Sequence, residues 1–188
     1  MNETTERVLT PVEQETAALR QVFAQFPTGV AALSLVPEDD PRQEPVVFIA
    51  SSFQVGISLD PPLVLVAVQH TSTSWPKLRA ALDRPGSRVG VTVLADHHEA
   101  AVRRLASKAL SGHERFDGLT TTTRESGAHY LNGSPAWMEC SLHSQFPAGD
   151  HDVVLLRVHD SLVDTDAEPL VWHASGFRGM SPRLTPAG

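Results

Sequence analysis

The sequence predicts a mainly β protein, built as an antiparallel barrel of Greek-key type with flanking helices. Seven apolar runs of strand length stand against three helix-like segments. Short polar loops, rather than crossover helices, join several neighbouring runs. The runs are apolar almost throughout, which indicates burial on both faces. A barrel interior on one face and a helix or a second subunit on the other would produce that pattern, whereas a doubly wound sheet requires more helices.

The first element is a helix that begins at Thr10, which can cap it, with Pro11 in the first helical position and Glu13 completing a capping box. Its apolar side chains recur at helical spacing and form one stripe: Leu19, Val22, Phe23 and Phe26. Pro27 and Gly29 end it. Four strands are predicted next, over residues 30–36, 46–52, 63–69 and 88–94.

Two further helices are predicted among these strands. One follows the third strand and is capped by Thr73 or Ser74. The other has Asp96 as its cap and carries Ala101, Leu105 and Ala109 on one face. An irregular stretch follows over residues 115–135. The last three strands are predicted at 136–143, 152–163 and 170–174.

Length and charge limit the classes of function. A chain of 188 residues fits one domain, which we expect to span residues 10–180, with mobile tails at 1–9 and 181–188. The net charge of −7 argues against nucleic acid and against anionic membranes as partners. The N-terminus is charged and lacks the apolar region of a signal peptide, and no run is long enough to span a membrane, so we expect a soluble, cytoplasmic protein.

Most familiar catalytic motifs are absent from the sequence. There is no G-x-G-x-x-G, no Walker A loop and no G-x-S-x-G elbow. The nine histidines do not fall at metal-binding spacing, so no metal site is predicted, and the lone Cys140 lies among apolar neighbours as a structural thiol. Two stretches remain: the hydroxyl-rich "SSF" at residues 51–53 and the turn "GDH" at 149–151. Taken alone, the first is equally consistent with an ordinary strand end, and the second is more typical of an ordinary surface turn.

Seven segments in order resemble the flavin reductase family, whose fold is the FMN-binding split barrel. They lie between residues 22 and 179 and read "FPTGVAALS", "ASSFQVGISLDPPLVLVAV", "GVTVLADHHEAAVRRLASK", "GHERFDG", "AWMECSL", "AGDHDVVLLRV" and "PLVWHASGF". The resemblance implies a homodimer with flavin in a groove near the subunit interface, and NADH or NADPH as the reductant. Family members often carry Asn, Ser and Gly where this chain has Thr92, Gly56 and Leu156.

The resemblance also implies a set of binding residues. Those expected to line the slot for the isoalloxazine ring are Ala50, Ser51, Ser52, Ser58 and Leu59. Gln69, Thr71 and Ser74 are expected near the ribityl chain and phosphate, where the start of a helix favours an anion. Thr28 and Phe116 are additional candidates. In the turn Gly149-Asp150-His151, His151 is expected beside the nicotinamide as the catalytic residue.

These expectations lead to an NAD(P)H-dependent flavin oxidoreductase that uses FMN or FAD and supplies reduced flavin to a partner flavin-dependent monooxygenase. The absence of an acid–base pair is consistent with this function, because the two cofactors carry the chemistry and the protein holds them at reacting distance. A non-catalytic flavin-binding or electron-carrier protein of the same fold is the alternative. A relative of pyridoxine-phosphate oxidase is a third interpretation, without a matching substrate signature in the sequence.

Overall fold

The computed structural model describes residues 16–40 and 42–180. The predicted helix start at Thr10 and both predicted tails lie outside these residues, and a domain over 10–180 stays a prediction. The helices are α1 Thr16–Ala24, α2 Trp75–Leu82, α3 Glu99–Leu105 and α4 Gly112–Arg115, with a 3-10 turn at Asp96–His98. The first strands are β1 Thr28–Gly29, β2 Ala31–Leu35, β3 Val46–Ala50, β4 Gln54–Leu59, β5 Pro62–Gln69 and β6 Val89–Val93. The later strands are β7 Thr121–Thr123, β8 His129–Leu131, β9 Ala136–Ala148, β10 His151–Val163, β11 Val171–His173 and β12 Gly176–Arg178.

Seven of these strands form one antiparallel sheet in the order β3-β2-β6-β9-β10-β5-β4. The two edge strands, β3 and β4, are consecutive in the chain and are joined by residues 51–53 alone. Four residue steps reach at most about 14 Å, so the two edges must approach each other at this point. The sheet therefore curls into a barrel that is split rather than closed, and the predicted mainly β, antiparallel class is confirmed.

The barrel has a buried core on each side of its wall. Inside, aliphatic side chains of β2, β5, β6 and β10 pack against one another and against Trp75 and Leu78 of α2. Outside, the opposite faces of β2 and β3 pack with α3, and Leu94, Leu105 and Leu131 are fully buried there. Every residue of β2 is buried, which confirms the prediction of burial on both faces for that strand.

Several predicted boundaries differ from the structure. The helix after Asp96 ends at Leu105, so Ala109 lies outside it, and Ala95 rather than Asp96 occupies the capping position. The segment Asp96–His98 is a 3-10 turn, and the Asp96 carboxylate accepts a hydrogen bond from the His97 N–H at 2.6 Å. Ser74 does precede α2, but the helix's first N–H, from Trp75, is bonded to the Ser72 hydroxyl at 3.2 Å.

Some elements escaped the sequence prediction. The stretch 115–135 contains β7 and β8, which pair only with each other in a small two-stranded sheet. Residues 54–59 form the edge strand β4, although Gly56 has a φ of +72° and the pairing with β5 slips between Gln54 and Ser58. Such a bulge breaks the alternation by which a strand is recognised in a sequence. No helix within the described ranges is long and apolar enough to cross a membrane.

Candidate functional site

A groove of about 340 Å³ lies at the split of the barrel. One wall is residues 47–52, which comprise β3 after its first residue and the start of the link to β4. The other wall is Ala67 and Gln69 of β5, the loop 71–74 and His151 of β10, with Ala106 and Lys108 at one side. The groove thus exists because the two ends of one sheet face each other without pairing.

Ser52 joins the two sides of the split. Its hydroxyl donates a hydrogen bond to the Ala67 carbonyl oxygen at 2.9 Å and accepts one from the Ala67 N–H at 3.3 Å. Ala67 belongs to β5, next to the far edge of the sheet, whereas Ser52 directly follows β3. The Ser52 side chain therefore stands in for the strand pairing that the split lacks.

Other hydroxyls around the groove are available to a ligand. Ser51, Thr71 and Thr73 line the groove, and all three residues are exposed. Their hydroxyls make no hydrogen bond with the described parts of the chain. A hydroxyl can both donate and accept a hydrogen bond. These three residues therefore offer neutral hydrogen-bonding groups along the rim of the groove.

The hairpin between β9 and β10 brings His151 to the end of the groove. Gly149 adopts a φ of +68°, which a two-residue hairpin turn requires, and His151 pairs directly with Gln69 across β10 and β5. The imidazole Nδ1 lies 2.7 Å from an oxygen of the Asp150 carboxylate. This hydrogen bond to His151 lowers the pKa of the exposed Asp150. Because an ionised carboxylate only accepts, a neutral His151 carries its proton on Nδ1 and keeps Nε2 as an acceptor.

A polar network behind the groove fixes the loop 71–74 at both ends. His70 Nε2 lies 3.2 Å from one oxygen of the Asp152 carboxylate, and the Gln145 amide nitrogen donates to the other oxygen at 2.7 Å. The Gln145 carbonyl oxygen accepts a hydrogen bond from the indole N–H of Trp75 at 3.3 Å. Since His70 and Trp75 bracket the loop, Asp152 holds it in place from both sides.

The structure brings together most of the residues that the resemblance assigns to flavin binding. Those that line the groove are Ala50, Ser51, Ser52, Gln69, Thr71, Ser74 and His151. Gly149 and Asp150 form the adjoining turn, and the Asp150 carbonyl accepts a hydrogen bond from the His70 N–H at 3.0 Å. These residues come from three separate parts of the sequence, 50–52, 69–74 and 149–151, so their assembly depends on the fold.

Four candidates lie elsewhere in the chain. Ser58 pairs with Leu63, which is four residues along β5 from Ala67 and hence about 13 Å away. Leu59, next to it, is 90% exposed. The structure therefore does not bring these two residues into the groove of their own chain, and their flavin contacts stay a prediction.

The other two outlying candidates are Thr28 and Phe116. Thr28 pairs with Trp172 in a separate three-stranded sheet, in which β11 lies between β1 and β12. The buried Thr28 hydroxyl has no hydrogen-bond partner within the described residues. Phe116 is buried in the outer core, where its ring packs edge-on against His129 at 4.8 Å. Neither residue lines the groove, and their flavin contacts stay a prediction.

Sequence reasoning missed two cationic residues beside the groove, Lys108 and Arg115. Arg115 precedes Phe116 in the quoted "GHERFDG" and reaches the groove: its Nη1 donates to the Ser74 hydroxyl at 3.3 Å and to the Val47 carbonyl at 3.4 Å. Burial lowers the pKa of the Arg115 guanidinium. The sequence offered one indication of Arg115, namely that it directly precedes Phe116, which was already a candidate.

Comparison with known proteins decides the family. The family model described as flavin reductase like domain matches residues 23–181, most of the chain. The chain belongs to the flavin reductase family. A flavin reductase of Pseudomonas putida is 33% identical over 162 residues, covering 86% of this chain and 88% of the relative. The flavin-dependent monooxygenase reductase subunit HsaB of Rhodococcus jostii is 34% identical over 166 residues, covering 88% and 78%.

A solved flavin reductase shares the fold over nearly the whole chain. The NADH:FAD oxidoreductase SgcE6 of Streptomyces globisporus superposes with a TM-score of 0.80 at 29% identity, covering 95% of this chain and 100% of that one. A second structure of SgcE6 contains NAD and FAD fragments. These similarities confirm the split-barrel type and the family predicted from the seven sequence segments.

The residue types of the groove fit a flavin nucleotide. A flavin ring is flat and apolar on its faces, with polar atoms at one edge, and a slot between strand β3 and the loop 71–74 with hydroxyls at its rim suits that shape. Lys108 and Arg115 stand where the loop meets the start of α2, which suits an anionic phosphate. No carboxylate side chain lines the groove itself, so nothing there opposes a negative charge on the ring.

Proposed function

We propose that this protein is an NAD(P)H:flavin oxidoreductase that reduces FMN or FAD and supplies the reduced flavin to a partner flavin-dependent monooxygenase. The observation that supports it most directly is the groove at the split, where Ser51, Gln69, Thr71 and His151 meet. Membership of the flavin reductase family supports the same function. HsaB, named as a monooxygenase reductase subunit, supports the existence of a monooxygenase partner.

The protein's contribution to the reaction is to bind and orient two nucleotides. When bound, the flavin accepts at N5 the hydride that the nicotinamide gives up from C4. The Ser51 hydroxyl and the backbone N–H groups of the link 51–53 would hold the polar edge of the ring, where neutral donors stabilise the added negative charge without themselves titrating. No side chain has to donate or remove a proton during the hydride transfer. The protein therefore accelerates the reaction mainly by holding both reactants in one orientation.

His151 would act at the nicotinamide side of the groove. The Asp150 carboxylate holds Nδ1, so Nε2 of the neutral ring can accept a hydrogen bond from a carboxamide N–H. Pairing with Gln69 fixes the β10 backbone at this position, so the ring is presented from a rigid strand rather than from a loop. Its proposed role is therefore to position the nicotinamide.

Anaerobic mixing with each pairing of FMN or FAD with NADH or NADPH tests the proposal. We expect at least one pair to lose both the nicotinamide absorbance and the oxidised flavin absorbance in equal molar amounts. Flavin that is bound but not reduced by either nicotinamide would instead identify a non-catalytic carrier. Coupled turnover with a flavin-dependent monooxygenase that has no reductase of its own then tests the delivery of reduced flavin.

A homodimer is part of the proposal. Val22 and Phe23 on α1 and Phe26, which follows the helix end at Ala24, are 65%, 66% and 70% exposed. Most of the predicted apolar stripe is therefore not covered by the described parts of this chain. The edge strand β4 also exposes Val55 and Ile57. Apolar surface of this extent in a water-exposed position is typical of a subunit interface. Sedimentation equilibrium should give twice the chain mass of 20.3 kDa, and a monomer at micromolar concentration would contradict the dimer.

The proposed location is the cytoplasm, where reduced nicotinamide nucleotides are available to the reaction. The negative net charge supports a protein that binds neither nucleic acid nor anionic membrane.

A further inference from the structure

A second cavity opens from the end of the groove. It has a volume of about 460 Å³ and shares Thr73, Ser74 and Lys108 with the groove. Residues 37, 40 and 44–46 form one side of it, and residues 110–112 and 115 form the other. We call it the side cavity. It leads away from His151, which lines the groove but not the side cavity.

The side cavity collects positive charge in an acidic protein. Lys77, Lys108 and Arg115 line it, and none of the three lies within 4 Å of a carboxylate among the described residues. Two acidic side chains also line it, Asp40 and Glu44. The Asp40 carboxylate is occupied by its own loop, because it accepts hydrogen bonds from the N–H groups of Arg42 at 2.9 Å and Glu44 at 3.1 Å.

Arg115 is held in a fixed position at the junction of the groove and the side cavity. Its Nε donates to the Leu110 carbonyl at 3.2 Å, while Nη1 donates to Ser74 and to the carbonyl of Val47. Nη2 makes no hydrogen bond with the described residues, and a guanidinium that keeps free donors can bind an anion. A fixed cation beside two exposed lysines matches a ligand with more than one phosphate.

We propose that the side cavity binds the adenosine diphosphate half of FAD, so that this chain binds FAD more tightly than FMN. This inference rests on the proposed function, because it assumes that the flavin phosphate lies at Thr73 and Ser74, where the groove and the side cavity meet. From that point FMN ends, whereas FAD continues with a second phosphate and an adenosine. Lys77 meets only this additional part, since it lines the side cavity and not the groove.

The same ADP chemistry is present in NADH, and the position of the side cavity distinguishes the two sources. It joins the groove at Thr73, Ser74 and Lys108, whereas the residue proposed to position the nicotinamide, His151, lies outside it. The ADP of FAD reaches the side cavity directly from the flavin phosphate. The ADP of NADH would have to cross the groove that the flavin occupies.

The test uses Lys77→Ala in the full chain, with Arg103→Ala as the control. Arg103 is also exposed on a helix, so both variants lose one positive charge, but Arg103 lines neither cavity. Dissociation constants for riboflavin, FMN and FAD are measured by flavin fluorescence without nicotinamide, and the Michaelis constant for NADH is measured separately. We expect Lys77→Ala to weaken FAD binding threefold to tenfold, to change FMN binding less than twofold, and to leave the NADH constant unchanged.

Each other result overturns the inference in a different way. Equal weakening of FMN and FAD would place Lys77 at the phosphate that both share. A raised NADH constant with unchanged FAD binding would assign the side cavity to the nicotinamide nucleotide. Unchanged binding of all ligands, or equal effects of Arg103→Ala, would remove Lys77 from the site. If the parent protein bound no flavin at all, the proposed function itself would fail, which is a separate outcome.

Discussion

Replacing Ser52 by alanine tests whether one side chain holds the split of the barrel together. The change removes both hydrogen bonds to Ala67, at 2.9 and 3.3 Å, and each such bond contributes about 0.5–1.5 kcal/mol net. Because the second bond is long and Ala67 is only partly buried, water can replace some of the loss. We therefore expect the free energy of unfolding to fall by about 1–2 kcal/mol. That corresponds to a melting temperature lower by about 2–8 °C for a domain of this size.

The neighbouring Ser51→Ala is a matched control with the opposite expectation. Ser51 is exposed, and its hydroxyl is free of hydrogen bonds within the described residues, so its loss should change stability by less than about 0.5 kcal/mol. Its proposed role is to bind flavin, and losing one neutral hydrogen bond should raise the flavin dissociation constant about twofold to tenfold. Turnover at saturating flavin should change little, because the bond is made equally in the ground state and the transition state.

Thermal unfolding without ligand and fluorescence titration with FMN and FAD, on both variants and the parent, separate these roles. Ser52→Ala should shift the melting curve, and Ser51→Ala should shift only the titration. If Ser52→Ala unfolds at the parent's temperature, the hydroxyl does not hold the split and the reasoning from the two hydrogen bonds is refuted. A large fall in turnover by Ser51→Ala at saturating flavin would contradict its assignment to binding.

Three further predictions concern His151, His129 and Gly90. His151→Ala should raise the Michaelis constant for NAD(P)H and lower turnover about tenfold to a hundredfold with flavin affinity nearly unchanged; parental rates at low NADH and low NADPH alike would leave His151 as a turn residue only. Burial lowers the pKa of His129 to about 4 in the folded protein, compared with about 6.5 in the unfolded chain. Between these two pH values only the unfolded chain is protonated at His129, so the free energy of unfolding falls as the pH drops from about 6.5 to 4. The free energy of unfolding should fall by about 3 kcal/mol over this range. The melting temperature of His129→Gln should therefore depend less on pH than that of the parent, and an equal dependence would contradict the prediction. Gly90→Ala would place a Cβ 2.5 Å from the His129 carbonyl oxygen and should lower the free energy of unfolding by about 1–3 kcal/mol in denaturant titrations. Gly29→Ala is the control, because the space around Gly29 is open. Equal denaturation midpoints for the two variants would contradict the close packing of β6 and β8.

The central strands could be predicted because a strand that is buried on both faces has apolar residues at nearly every position. β2 and β6 are short, largely apolar runs, and the structure places each within one residue of the predicted bounds. β4 was missed because its residues are largely exposed and its pairing with β5 slips, so its sequence carries no apolar alternation. The pair β7 and β8 was missed because three-residue strands carry too few positions for a period to be recognised.

Most residues of the candidate site could be predicted from the sequence, but the hydrogen bonds that connect them could not. The hydroxyls of residues 51 and 52 look equivalent in the sequence, yet only that of Ser52 is taken up by the backbone of β5. Nothing local distinguishes them, since the partner is 15 residues away and its distance depends on how the sheet curls. For the same reason Arg115 could not be connected with Ser74, which lies 41 residues earlier in the chain.

The split gives the protein a place where it can open without unfolding. Elsewhere the sheet is continuous, so exposing its amides requires separating paired strands. At the split, side chains take the place of strand pairing: Ser52 bonds to Ala67, and Arg115 links Val47 to Ser74. Local openings of this kind exchange amide hydrogens and admit proteases at a far lower free energy than global unfolding. A ligand in the groove touches both sides and favours the shut form by mass action, by about 2.7 kcal/mol at a hundred times its dissociation constant. We therefore expect the amide of Ala67, which faces the split, to exchange rapidly in the free protein and slowly with flavin, so that the supply of the ligand also sets how long the protein survives.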